Sequence, residues 1–285
     1  MPQGWHGQIK ADLIRRLCNL AMPFFAVHTA PPSAQVLRPL SLDKPNSTSI
    51  IHAPRRHGQR SLWLWGALLC LTLAWDASGA DLRVMAWLGS AQGFALRDQW
   101  WLSAVLHDGA RQVALLLYLG VLLMAVWPMG RVRLMPGLQR LEIVTGITLS
   151  LLLINVVKRS SLTSCPWDLQ AFGGTASYVS HWAWGVADGG SGFCFPGGHA
   201  SSALAFLALG LPGLASPDPH WQRRAWVLTG LIVITGAVLG GVQTLRGAHY
   251  PSHTAWTALL CASAAWANHG LFAWYGFSKT PPQNQ

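Results

Sequence analysis

Residues 143–166 read IVTGITLSLLLINVVKRSSLTSCP. The first part, 143–157, carries no charged side chain and is rich in β-branched residues. A soluble strand could use such residues, but an open strand edge cannot survive in lipid, whereas a helix satisfies its own backbone there. Lys158 and Arg159 then end the apolar run abruptly, and a Ser/Thr-rich stretch follows up to Pro166. The reading is a membrane helix that surfaces at Lys158.

Five further apolar blocks flank this one, at 62–75, 113–127, 200–214, 225–242 and 254–274. Of the 285 residues, 51% are hydrophobic and 11% charged, against about 25% charged in soluble domains. A run of about 20 apolar residues spans a bilayer. The expected fold is therefore all-α, a polytopic membrane bundle of about six transmembrane helices. Many of the sixteen tryptophans sit at block edges, among them Trp63, Trp87, Trp100, Trp101, Trp127 and Trp274, as expected of a belt at the headgroup level. Residues 1–60 are richer in Pro, Ser, His and Arg and hold no spanning run. They read as a poorly ordered cytoplasmic extension, ahead of a membrane domain at 61–276 and a short cytoplasmic tail at 277–285.

The net charge of +10 is spread over short loops and is accompanied by no nucleic-acid motif, so topology explains it better than a nucleic-acid partner. Arg55, Arg56 and Arg60 precede the first block; Arg131, Arg133 and Arg140 follow the second; Arg223 and Arg224 follow the fourth; Lys279 follows the sixth. With six crossings these all fall on one side, which the positive-inside rule makes cytoplasmic. Lys158, Arg159 and Arg246 fall on the other side, at helix ends, where positive charge suggests an anion.

Three segments meet on that outer face: 158–166, 196–201 (PGGHAS) and 246–253 (RGAHYPSH). Phosphoryl transfer needs charge stabilisation and positioning more than covalent help. Lys158, Arg246 and Arg159 could hold phosphate oxygens, and Gly197 and Gly198 could offer backbone N–H groups at a helix start. One neutral imidazole could attack phosphorus and a protonated one could serve the leaving group.

In order and spacing these segments resemble the type-2 phosphatidic acid phosphatase superfamily, whose motifs are K-x6-R-P, P-S-G-H and S-R-x5-H-x3-D. The resemblance covers roughly residues 60–275. It implies that His249 is the nucleophile, His199 the general acid, and Lys158 a phosphate ligand. Departures are plain: Cys165 stands for the Arg of the first motif and Gly197 for the Ser of the second. In the third, Val242 and Gln243 replace Ser-Arg and His253 replaces Asp. Arg246 is the expected substitute for the lost Arg. His253 is expected to orient His249, with activity falling as His253 protonates in mild acid.

The implied activity is metal-independent hydrolysis of a lipid phosphate or pyrophosphate monoester, through a phosphohistidine, at the periplasmic face of a bacterial inner membrane. No cofactor is expected, and the partners are the bilayer and a lipid substrate. A lipid phosphotransferase and an inactive lipid-binding relative are the alternatives. Cys165 and Cys194 are the two cysteines of the outer loops. A disulfide between them would tie the first motif to the second; two free thiols are the alternative.

Overall fold

A computed structural model describes residues 55–278, with side chains from residue 62 to residue 275. The expected N-terminal extension up to residue 54, the side chains of Arg55, Arg56 and Arg60, and the tail from residue 279 lie outside the described residues.

The described residues are mostly helical. Helix α1 (Arg55–Ala77) and helix α2 (Ala80–Leu88) meet at a 69° bend. Gly79 makes the bend with φ +64°, a backbone that glycine adopts without strain. A two-residue hairpin, β1 (Gly89–Ser90) with β2 (Gly93–Phe94), leads to a π-helical stretch at Trp101–Gly109, which runs on as α3 (Ala110–Val126). Helix α4 (Gly137–Ser160) follows, then a long loop. The chain re-enters as α5 (Ser201–Leu204), a 3-10 stretch at Ala205–Leu209, and α6 (Leu211–Leu214). Helices α7 (Pro219–Leu245) and α8 (Pro251–Ser278) complete it.

Three of these helical stretches are long and apolar enough to cross a membrane: Trp101–Val126, Gly137–Ser160 and Pro219–Leu245. The bent pair α1–α2 makes a fourth if it counts as one span. That is fewer than the six apolar blocks of the sequence, for two reasons. The block at 200–214 is broken into three short pieces, with Gly210, Pro212 and Gly213 at the breaks. The last block forms a helix of 28 residues, but His253, Asn268, His269 and three tryptophans (Trp256, Trp266 and Trp274) dilute its hydropathy.

Helices α4 and α8 form the centre. Small residues bring their backbones close: Ser150 Oγ donates to Gly146 O and reaches Cys261 O on α8. Asn268 Nδ2 donates to Glu142 O, and Thr145 Oγ1 donates to Asn268 Oδ1. Such small and polar contacts are how helices associate where lipid removes the hydrophobic drive between them. Glu142, at the edge of the block 143–157, lies 2.6 Å from His269 Nδ1. Around this centre pack Ile143, Ile147, Phe206 and Ile232. On the outside, α3 buries no residue and exposes Leu115, Leu116, Leu117, Leu119 and Leu123. A surface so apolar suits lipid rather than water. Exposed Trp87, Trp100, Trp101, Trp127 and Trp274 sit near helix ends.

Candidate active site

The first motif leaves α4 at Lys158 and runs beside the end of the long loop. Phe193 N donates to Ser161 O and Cys194 N to Thr163 O, at 2.9 and 3.0 Å. Buried Asp188 fastens the same strand pair, accepting from Ser164 N, Ser164 Oγ and Gly190 N. Cys165 and Cys194 are joined in a disulfide, with Cα atoms 5.0 Å apart.

The third motif is held just as firmly. Gly247 adopts φ +75°, and a Cβ there would come within 2.3 Å of the Phe94 ring, so only glycine fits. Its carbonyl accepts from Trp167 N at 3.0 Å. Ser252 donates through both N and Oγ to the Asp81 carboxylate, which thereby caps the start of α8. Trp75 Nε1 donates to the same carboxylate. The bent α1–α2 pair thus anchors the segment that carries His249 and His253.

His249 and His253 are both buried. His249 Nδ1 lies 3.4 Å from Cys194 Sγ. Burial, then the positive charge of Lys158, push its pKa down to about 3, so the imidazole is neutral over the ordinary pH range. With Nδ1 turned to the disulfide, Nε2 is the nitrogen left to react. His253 makes no hydrogen bond to His249; its Nδ1 lies 3.1 Å from the Cys194 carbonyl, a natural acceptor for its proton. Cys194 therefore touches both imidazoles of the third motif. Its sulfur, that of Cys165 and His249 Nδ1 lie within 4.8 Å of one another, but the sulfurs are bonded to each other.

His199 is also buried, and its Nε2 lies 3.0 Å from the Leu106 carbonyl of the π-helical stretch. That carbonyl accepts a hydrogen bond from Nε2–H and leaves Nδ1 uncommitted. Burial holds the His199 pKa below the usual histidine range. A positive charge on His199 also disfavours protonation of His249.

Lys158 lies across the second motif: a Cβ on Gly198 would sit 3.4–3.7 Å from its Cδ, Cε and Nζ. Gly197 N donates to the His253 carbonyl at 3.2 Å, so this N–H serves the backbone. The helix that follows is a single turn, Ser201–Leu204, too short for the dipole expected at the second motif. Arg246 is buried, with Nε donating to Arg97 O and Nη1 to Gln243 Oε1. Its guanidinium and that of Arg97 lie over Trp167, at 5.9 and 4.8 Å from the ring centre. Arg159 is exposed at the end of α4, away from these contacts. Sequence reasoning missed Arg97 and Trp167, which no motif marks.

Every motif residue of this site falls within 140–277, the segment that matches the family model described as the PAP2 superfamily. Residues 140–277, just under half of the chain, are similar to that superfamily. No curated protein and no solved structure matches the chain. The PAP2 segment begins inside α4 and ends in α8, so α1, α2, α3 and the π-helical stretch stand outside it. Members of the superfamily are generally phosphatases, and the buried His249 and His199 with the half-buried Lys158 suit a phosphoric monoester hydrolase.

Proposed function

We propose that this chain hydrolyses a lipid phosphate or pyrophosphate monoester through a phosphohistidine. The observation that carries the reading is a neutral, buried His249 in the same site as Lys158 and His199. His249 Nε2 attacks phosphorus and forms a P–N bond while the P–O bond to the leaving group breaks. His199, protonated, gives its proton to the departing oxygen. Water then attacks phosphorus, His199 takes a proton from it, and phosphate leaves as the P–N bond breaks. Lys158 and Arg246 offset the charge on the non-bridging oxygens.

A lipid substrate is supported by an apolar cleft of about 960 Å³ beside the site. It starts at Val105 and Gly109, next to the Leu106 carbonyl that holds His199, and runs along α3 and α7 down to Met124, Ala125 and Arg140. At 1.5 Å per helical residue, Val105 to Ala125 covers about 30 Å, the thickness of the hydrocarbon core. A disulfide beside the nucleophile supports a site on the oxidising side of the membrane, the periplasmic face of a bacterial inner membrane. The test is phosphate release in detergent from a panel of lipid phosphates and pyrophosphates, comparing wild type with His249→Ala. Release by the wild type alone is expected. Release that survives in His249→Ala overturns the assignment of the nucleophile, and no release from any lipid by the wild type overturns the activity.

A further inference from the structure

His199 is gripped by a segment that the family match does not include. The π-helical stretch Trp101–Gly109 presents two successive groups to it. The Leu106 carbonyl lies 3.0 Å from Nε2, and the His107 ring stacks on the His199 ring with centroids 4.4 Å apart and planes 17° from parallel. His107 is itself held, with Nδ1 2.9 Å from Asp108 Oδ1. The wider turn of a π-helix alters the register of successive residues relative to an α-helix and is frequent at functional sites. Here the carbonyl of one residue and the side chain of the next converge on the same imidazole.

We propose that His107 is a positioning residue for the reaction: stacked on His199 and steadied by Asp108, it holds His199 in the orientation from which its proton reaches the leaving group. This rests on the phosphatase reading of the site. The stack opposes rotation of the His199 ring, and the Leu106 carbonyl fixes which nitrogen carries the resident proton. Together they leave Nδ1 as the only nitrogen free for the substrate. A general acid misplaced by about 1 Å can lose two orders of magnitude in rate, so such restraint has a direct kinetic value.

The charge on His107 also reaches His199. The groups acting on His199 are His107 and Asp108 from the π-helical stretch and Arg246 from the turn after α7. His249 responds in turn to Lys158, His199 and His107. Arg111, on the next turn of α3, acts on Asp108. Burial is the main reason that His199 sits below the usual histidine range; the charge on His107 adds to it and that on Asp108 opposes it. Replacing His107 by an uncharged ring therefore separates its two effects, because the stack stays and the charge goes.

The experiment compares wild type, His107→Phe and His107→Ala in detergent, with an alkyl and an aryl phosphate, across pH. His107→Ala is expected to lose about tenfold or more in kcat on the alkyl phosphate and about twofold or less on the aryl phosphate, whose leaving group needs little protonation. His107→Phe is expected to recover most of that loss and to move the alkaline limb of kcat/KM upward. Equal loss on both substrates, or no recovery in His107→Phe, overturns the proposal in favour of a purely structural role. Ring-labelled histidine NMR gives a second readout that needs no turnover, with the His199 signal identified by its disappearance in His199→Ala. An upward shift of its midpoint in His107→Phe is expected, and an unmoved midpoint overturns the coupling. A shifted midpoint in a protein that releases no phosphate would leave the coupling standing and remove the phosphatase reading instead.

Discussion

In the proposed reaction, two imidazoles divide the chemistry because their surroundings differ. His249 must be neutral to attack, and its pKa near 3 keeps it so. His199 must be protonated to serve as acid, and burial holds its pKa below the usual histidine range. The signs follow directly. Activity falls toward acid as His249 gains a proton at about pH 3, and falls toward alkali as His199 loses one below the usual histidine range. The kcat/KM profile, which reports the free enzyme, is therefore expected to be a bell with its maximum on the acid side of pH 6.5. His199→Ala should remove the alkaline limb and lower kcat about 10²–10⁴-fold on alkyl phosphates, with little loss on aryl phosphates. A maximum above pH 7 in wild type, or an alkaline limb that persists in His199→Ala, would show that another group supplies the proton. The replacement of the third motif's carboxylate by His253 has a structural counterpart at this scale. His249 Nδ1 faces a disulfide sulfur, a weak acceptor, while His253 turns to the Cys194 carbonyl. In its proposed role as nucleophile, His249 is oriented by packing and a sulfur contact, without the negative charge a carboxylate would add.

At the scale of the elements, the site is two loops and a helix start held together by one covalent link. The disulfide closes a loop with a sequence separation of 29, for which chain entropy gives roughly 3–4 kcal/mol. Cys194 also touches His249 and His253, so the link carries position as well as stability. Cys165→Ala combined with Cys194→Ala is expected to lower the thermal midpoint markedly and to reduce turnover, and reductant should do the same to wild type but nothing further to the double variant. A double variant with the melting midpoint and kcat of wild type would reduce the bridge to an ornament of the loop. Much of this arrangement was legible in the sequence. Lys158, Pro196, His199 and His249 stand at fixed spacings, and those spacings survive because backbone geometry at helix ends ties residue order to place. The partners of His199 were not legible. Leu106 and His107 reach it from a separate segment, and nothing in WLSAVLHDG marks a π-helical register. The break-up of the block at 200–214 was written there in Gly210, Pro212 and Gly213, but a hydropathy reading weighs them as apolar filler. Arg246 was expected on phosphate. Its Nε and Nη1 also bond Arg97 O and Gln243 Oε1, partners that come from tertiary packing and that no motif marks.

For the whole molecule, the proposed lipid substrate turns on the cleft. Helix α3 stands out from the bundle with no buried residue, and the gap between it and α7 is lined by Val113, Leu117, Phe206, Leu231 and Leu239. A hydrocarbon chain lying there places its head beside Leu106 and His107, and so beside His199. Gly120 lines this cleft, and a Cβ added to it meets nothing within 4 Å. Gly120→Trp can therefore fill the cleft without disturbing the backbone, and in a helix it also removes the entropic cost of glycine. Each buried CH₂ contributes about 0.8 kcal/mol, so displacing only two or three from the cleft weakens binding by about 2 kcal/mol, or about 30-fold. KM for a long-chain lipid phosphate is thus expected to rise at least about tenfold in Gly120→Trp. KM and kcat for a short-chain aryl phosphate should stay within about twofold, because its small leaving group ends at the site. Equal KM for the long-chain substrate in the two proteins would mean that the tail lies elsewhere, and the cleft would then be a lipid-filled gap with no part in substrate binding.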